Sequence, residues 1–285
     1  MIPAQFDYVA PASVADAVAA LAQGGEDAKV LAGGQSLIPV LRLRLSYPTV
    51  LVDLRKVDGL RGVREDGTDL VIGAMTRHAD VVKDPLIQQY AALVAEAAAT
   101  VADPAVRHRG TFGGALAHAD PAGDLAAVAL ALDAQLVAEG PGGRRSIAAA
   151  DFFQDYLQTA LSPDELLVEV RVPKLEGQWG VAYEKFNRTA QSWAIVGAAA
   201  AIRRENGSIA EARIGLTNMG SVPVRAGTVE AALAGAPAEA GAVAEAAAHA
   251  ADGTSAPSDL SGQADYREHL ARVLTRRAVL TAAGI

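Results

Sequence analysis

Apolar positions first recur at helical spacing at Val14, Ala17, Val18 and Leu21, behind a Ser13-Val-Ala-Asp16 start with the form of a capping box. The pattern predicts a helix that stops at Gly24-Gly25. The period then shortens. Residues 29–32 and 49–54 are brief apolar runs and predict buried strands. Between them, LAGGQSLIPVL halts at two glycines, a glutamine and a serine before turning apolar again. A turn of that composition between apolar elements suits one that holds a small polar group. The unit so far is an α/β module of about 55 residues, the size of a lobe rather than of a free-standing domain.

Farther along, residues 70–75 predict another strand, with Thr76 capping a short helix behind it. A long alanine-rich helix is expected from Pro85 to Val101, ended by Asp103-Pro104. Runs at 134–138 and 144–147 flank a turn signal at 140–143, and 166–172 alternates as a half-buried strand does. From about residue 178 the texture changes. Residues 179–186 and 194–203 predict strands, and Asn206-Gly207 marks a hairpin into 209–216. Residues 228–283 are alanine-rich and helical in pattern, with a loop at 253–263. The class is α+β. The expected division is 1–175, made of lobes 1–57 and 58–175, followed by a C-terminal domain 176–285 of antiparallel strands and helices.

Composition narrows the function. The 285 residues are 51% hydrophobic, ample for a core, and carry a formal net charge of −8. That charge argues against nucleic acid, whose phosphates need a basic footprint. No cysteine is present, which excludes disulfides and a cysteine-ligated iron–sulfur cluster within this chain and fits a reducing compartment. The start, MIPAQFDYVAPAS, lacks the pattern of a secretory signal, and no uncharged apolar run reaches the roughly 18 residues of a membrane span. A cytoplasmic location is expected.

Candidate chemistry concentrates in two loops. Ala32, Gly33, Gly34, Gln35 and Ser36 form the first, and Thr111, Phe112, Gly113, Gly114 and Ala115 the second. Each joins a glycine pair to a hydroxyl residue. Glycines admit positive φ and close backbone approach, and successive N–H groups in such turns make an anion nest. Two facing nests suit a pyrophosphate; the same pairs serve equally as tight turns between packed elements. Neither has the G-x-G-x-x-G spacing, and no Walker loop occurs.

The stretches LAGGQSLIPVLRLRLSYPTVLVDL, VIGAMTRHADV and TFGGALAHADPAGDLAAVALALDA resemble the FAD-binding middle subunit of molybdenum hydroxylases, the carbon monoxide dehydrogenase medium-subunit family related to the FAD domain of xanthine dehydrogenase. The resemblance spans nearly the whole chain. It implies the two-lobed FAD-binding fold of the vanillyl-alcohol oxidase type and a smaller C-terminal domain. It also implies FAD as cofactor, with its pyrophosphate held by Leu31 to Leu37 (Leu31 and Leu37 joining the five loop residues) and by Thr111 to Ala115. Asp124 falls where the family has an acceptor for the cofactor, and Lys185 where relatives place a lysine near the flavin. Ala115 departs from the asparagine of many members. The lack of cysteine sets the chain apart from the benzoyl-CoA reductase branch, whose flavin subunit carries an extra cluster. The implied partners are a large molybdenum-cofactor subunit and a small 2Fe-2S subunit. The implied role is to take electrons from the clusters and pass them to an external acceptor, with no substrate catalysis and no metal site in this chain.

The remaining residues carry weaker signals. His118 and Asp120 are two potential ligands without a third, so hydrogen bonding is the plainer reading. Arg107, His108 and Arg109 suit phosphate, solvent or a subunit contact, and Arg42 and Arg44 share that ambiguity. Trp179, Tyr183 and Trp193 suit either core packing or a flavin ring. A flavin-free scaffold and a self-sufficient flavin oxidase stand as alternatives. Carbon monoxide, a purine and an N-heterocycle are all compatible substrates for the complex.

Overall fold

The computed structural model describes residues 2–285. The chain opens with β1 (Asp7–Val9), α1 (Val14–Gly24), β2 (Ala28–Leu31), α2 (Leu37–Arg42) and β3 (Val50–Asp53). The three strands form a parallel sheet in the order β1-β3-β2. Ser13 caps α1 as its position predicts: its hydroxyl accepts from the Asp16 N–H at 3.1 Å and donates to the Asp16 carboxylate at 2.7 Å. β1 escapes sequence reading because its three residues are all exposed and show no apolar pattern.

A second sheet follows, antiparallel and five-stranded in the order β4-β5-β10-β6-β7. Its strands are β4 (Val63–Asp66), β5 (Asp69–Gly73), β6 (Gln135–Gly140), β7 (Gly143–Ala148) and β10 (Leu166–Pro173). Between β5 and β6 lie α3 (His78–Lys83), α4 (Pro85–Tyr90), α5 (Ala92–Ala99), α6 (Pro104–Arg107), α7 (Phe112–His118) and α8 (Asp124–Ala131). Between β7 and β10 lie α9 (Ala149–Phe152) and a small pair, β8 (Phe153–Asp155) and β9 (Gln158–Thr159). Val137, Leu166 and Val168 of this sheet share a core with Val18, Leu21 and Val52, so the two sheets pack as one body.

The predicted long helix over 85–101 is two helices. Ala91, at φ −146° and ψ 44°, breaks it. In a continuous helix the Tyr90 carbonyl would accept from Val94; here it accepts from the Leu175 N–H at 2.9 Å, and Val94 turns to Ala91. Asp103 does more than end that run. Its carboxylate accepts from the Val106 N–H at 2.8 Å and starts α6. Thr76 caps no helix either. Its hydroxyl binds both the N–H and the carbonyl of Gly62, at 3.0 and 3.2 Å, and α3 begins behind Arg77 without a side-chain cap.

The third sheet is antiparallel, in the order β11-β12-β13-β14, with β11 (Trp179–Phe186), β12 (Val196–Glu205), β13 (Ser208–Thr217) and the short, unforeseen β14 (Val224–Arg225). The Asn206-Gly207 turn joins β12 to β13, with both residues at positive φ, as a hairpin of that sequence requires. The helices α10 (Gly227–Leu233), α11 (Ala240–Ala247) and α12 (Ala264–Ala283) close the chain.

Helices cover both faces of this sheet. In β12, Ala199 and Ala201 share a core with the α5–α8 side, while Ala198, Ala200 and Ile202 share one with α12. Small residues set the spacing of these layers. A Cβ on Gly215 would stand 2.2 Å from the Ala127 carbonyl of α8, and one on Gly180 only 1.8 Å from the Ala282 carbonyl of α12. Among the described residues no helix is long and apolar enough to cross a membrane.

Gly180→Val should therefore push α12 off the sheet and cost on the order of 3 kcal/mol of stability, read as a lower urea midpoint with an unchanged m-value. An unaltered midpoint would mean that α12 yields at no cost.

Candidate cofactor-binding site

Loop one leaves β2 at Leu31 and runs into α2 at Leu37. Gly34 has φ +74°, the left-handed conformation that glycine adopts without strain. The Gln35 amide folds back onto the Gly33 carbonyl at 3.2 Å. The backbone N–H groups of Gly33, Gly34, Gln35, Ser36 and Leu37 find no acceptor among the described residues. Five consecutive donors at the mouth of a turn are the arrangement the sequence predicts for an anion.

Loop two is built differently from expectation. Gly113 and Gly114 are not in a positive-φ turn; they are the first turn of α7, with Thr111 as N-cap. The N–H groups there are already used. Phe112 donates to the Thr76 carbonyl at 2.8 Å, Gly113 to the Ala74 carbonyl at 2.9 Å, Gly114 to the Thr111 hydroxyl at 3.2 Å and Ala115 to the Thr111 carbonyl at 3.0 Å. Residues 112–115 are thus not a second nest. The hydroxyl proton of Thr111 remains as a donor, because that oxygen accepts from Gly114.

Glycine serves loop two through proximity. A Cβ on Gly113 would lie 2.5 Å from the Cβ of Ala74, and one on Gly114 2.5 Å from the Thr111 hydroxyl and 3.3 Å from the Cβ of Ala32. Gly33 matches this from the other side: its Cβ would lie 2.4 Å from the Arg109 carbonyl and 2.7 Å from the Gly110 Cα. Loop one therefore lies backbone to backbone against residues 109–110, immediately before loop two, and meets loop two itself where Gly114 faces the Ala32 side chain. Arg107, in the basic run before loop two, is committed to the Val101 and Ala102 carbonyls at 2.9 and 3.0 Å.

His78, in the VIGAMTRHADV stretch, lies beside this contact. A Cβ on Gly110 would meet its ring at 2.8 Å, and its own N–H donates to the Gly110 carbonyl at 3.0 Å. The ring is buried with Nδ1 unpartnered. Burial, aided by the nearby Arg107 charge, pulls its pKa down to about 4, so the imidazole is neutral at neutral pH.

Asp124 and Lys185 meet where α8 faces β11. Asp124 is the first residue of α8, and its carboxylate accepts from the Lys185 ammonium at 2.7 Å and from the Tyr183 hydroxyl at 2.8 Å. Lys185 also donates to the Thr100 carbonyl at 3.2 Å, and the Tyr183 hydroxyl lies 3.2 Å from that of Thr217. Burial pushes the Asp124 carboxyl up, and the Lys185 ammonium and Tyr183 hydroxyl pull it back. Burial likewise raises the Tyr183 hydroxyl well above its usual value, which keeps it a donor. Asp124 uses one site on each oxygen, so acceptor capacity remains.

Tyr183 is therefore a polar network member rather than a ring cover. Gly197, which sequence reasoning passed over, makes room for it: a Cβ there would stand 2.5 Å from the Tyr183 hydroxyl. A lone glycine within a strand was the available signal. Trp193 is half exposed and tilts against His118 at 6.3 Å between ring centroids. It lines a cavity of about 660 Å³ with Asp120, Asn218 and Arg267. The guanidinium groups of Arg203 and Arg213 lie 5.9 and 5.0 Å from the Trp179 ring centroid.

The comparisons with known proteins agree along the whole chain. Residues 4–175 match the family described as the FAD binding domain in molybdopterin dehydrogenase, and residues 181–282 the CO dehydrogenase flavoprotein C-terminal domain. The carbon monoxide dehydrogenase medium chain of Hydrogenophaga pseudoflava is 43% identical over 98% of this chain and 97% of its own length. The subunit alpha of the 6-hydroxypseudooxynicotine dehydrogenase complex of Paenarthrobacter nicotinovorans is 40% identical over 99% of this chain and 96% of its own. Among solved structures, carbon monoxide dehydrogenase from Hydrogenophaga pseudoflava aligns with a TM-score of 0.97 at 44% identity, covering 100% of this chain and 99% of that one. Quinoline 2-oxidoreductase from Pseudomonas putida 86 aligns with a TM-score of 0.95 at 35% identity, with the same coverage of both chains. The chain belongs to the family of FAD-binding medium subunits of molybdenum hydroxylases.

Proposed function

We propose that this chain holds one FAD without a covalent bond and serves as the electron relay of a molybdenum hydroxylase. In this reading it stands between the clusters of a small 2Fe-2S subunit and an external acceptor. Substrate is oxidised at the molybdenum cofactor of a large subunit. The observation that carries the reading is the run of five unpartnered N–H groups in loop one, set in a chain of this family. FAD supplies two-electron and one-electron chemistry when bound.

The chain's own residues bind and orient the cofactor. Gly33 to Leu37 donate backbone N–H groups to the pyrophosphate, Leu31 and Ala32 lead the chain from β2 into that turn, and Thr111 adds its hydroxyl. Phe112, Gly113, Gly114 and Ala115 contribute shape, as the helix start on which loop one rests. Asp124 and Lys185 face the flavin as a pair. The carboxylate already neutralises much of the ammonium's charge, so the two together tune the flavin less than a bare cation does. We assign 1–175 as the FAD-binding region, with lobes 1–57 and 58–175, and 176–285 as the C-terminal domain. The same reading places the protein in the cytoplasm, which the absence of cysteine supports.

The relay assignment is tested by adding the purified partner subunits one at a time and following flavin absorbance. Denaturing the holoprotein should release FAD and leave the polypeptide colourless. Candidate substrates should bleach the flavin only when both partners are present, whereas dithionite should bleach it in the chain alone. A preparation that takes up no FAD would favour the scaffold reading, and substrate turnover by this chain alone the self-sufficient oxidase.

Two sets of substitutions probe the site. Gly33→Val drives a side chain into the Arg109 carbonyl and displaces loop one. It should weaken FAD binding at least tenfold, about 1.4 kcal/mol, with far-UV circular dichroism unchanged. Gly114→Val crowds the Thr111 cap and should instead cost about 1 kcal/mol of stability. Full flavin occupancy in Gly33→Val would remove loop one from the site.

Lys185→Met and Asp124→Asn should shift the flavin midpoint potential in opposite directions. Losing the ammonium lowers it, and freeing the ammonium from its carboxylate raises it. Shifts of about 30 mV, equivalent to about 1.4 kcal/mol for a two-electron couple, are expected. Unchanged potentials in both variants would confine the pair to a structural role.

A further inference from the structure

The segment that follows loop one is more exposed than its composition warrants. Leu43, Leu45 and Tyr47 are 60%, 72% and 64% exposed, and Ile2 is 83% exposed. Scattered exposed leucines need no explanation, but a contiguous apolar ridge does. The backbone fixes its shape. The Leu45 N–H reaches back to the Val40 carbonyl and the Arg44 N–H to the Leu41 carbonyl, both at 3.0 Å, which is a Schellman end to α2. That motif ordinarily tucks its following apolar residue against the helix; here Leu45 points to solvent. The left-handed position is held by Arg44, at φ +56°, where glycine is the unstrained choice. Arg44 also donates through Nε to the Ile2 carbonyl at 3.3 Å and so draws the N-terminal segment onto the ridge.

Two further observations say what covers this ridge. First, it is continuous with the loop assigned to the cofactor: Ile38 Cδ1 lies 2.7 Å from where a Cβ on Gly34 would stand, and Ile38 is itself partly exposed. Second, its charge is opposite to that of the chain. Residues 37–48 hold Arg42 and Arg44 and no carboxylate, in a protein of net charge −8. We propose that the ridge formed by Ile2, Ile38, Leu43, Arg44, Leu45 and Tyr47 is the docking surface for the cluster-bearing small subunit, meeting an apolar patch with an acidic rim. The inference rests on the relay reading above, in which the cluster-bearing donor has to come within reach of the FAD whose pyrophosphate loop one holds. The arginines steer and orient the encounter, and the leucines and Tyr47 supply the buried area.

The test uses the FAD-loaded chain with Leu43→Glu/Leu45→Glu and, separately, Arg42→Glu/Arg44→Glu. Binding of the purified small subunit and of the purified large subunit is measured by titration, with sedimentation of the chain alone. Both variants should keep full flavin and normal dithionite bleaching. Their Kd for the small subunit should rise at least tenfold, with the large subunit bound as by the wild type. The wild-type affinity should fall as salt rises, and less so in the arginine variant. Undiminished binding of the small subunit in both variants would overturn the assignment. So would a loss confined to the large subunit, or a wild-type homodimer that the variants dissociate. Wild-type binding of a reduced small subunit without flavin bleaching would count against the relay while leaving the docking surface standing. Bleaching in the wild type with full binding in the variants would do the reverse.

Discussion

The carboxylate of Asp124 and the ammonium of Lys185 lie 2.7 Å apart, both nearly excluded from water, where α8 meets β11. A buried pair of this kind contributes little net stability compared with apolar packing, yet losing one partner typically costs about 3–5 kcal/mol because the other charge is stranded. The surrounding structure holds both groups in place. Tyr183 and Thr100 supply the extra hydrogen bonds, Gly197 clears the volume for the tyrosine, and Gly215 lets α8 approach the sheet closely enough for the pair to form. The registration of α8 on the third sheet is fixed where this interaction, the small residues that permit it, the apolar core of α8 and the Arg225 contact with the Leu130 carbonyl coincide.

Much of the architecture was legible in the sequence. Wherever one face of a strand is buried and turns are marked, as in 166–172 or across Asn206-Gly207, alternation and turn chemistry sufficed. Strand β1 is missed because its residues are exposed, whereas the errors at 85–101 and at Thr76 share a physical origin in partners outside the local pattern. The helix over 85–101 is interrupted where the Tyr90 carbonyl takes its hydrogen bond from Leu175, and a partner so far along the chain leaves no trace in local spacing. Thr76 has the position of a cap because threonine before a helix usually is one, but Gly62 claims its hydroxyl.

The two glycine loops illustrate the same limit at the candidate site. Residue types singled out both, and the structure brings the two segments together. Only the reason for the glycines differed. In loop one, Gly34 has the positive φ that a nest needs, whereas Gly33 is small so that another backbone can lie against it. In loop two Gly113 is small so that Ala74 can lie against it, and Gly114 so that the side chains of Thr111 and Ala32 can. Sequence distinguishes neither use from the other, because each demands only the absence of a Cβ. Asp124 and Lys185 were marked by resemblance rather than by spacing, and nothing local announced that they bind one another.

The contact between Gly33 and the Arg109–Gly110 backbone joins positions far apart in the chain. Closing so long a loop carries an entropic cost that local helices and hairpins escape. The glycine turn can be shaped early, but the wall it rests on arrives only when α6 and α7 have settled on the second sheet. If loop one holds the cofactor as proposed, capture belongs to the end of folding, and uptake of flavin reports that the long-range topology is in place.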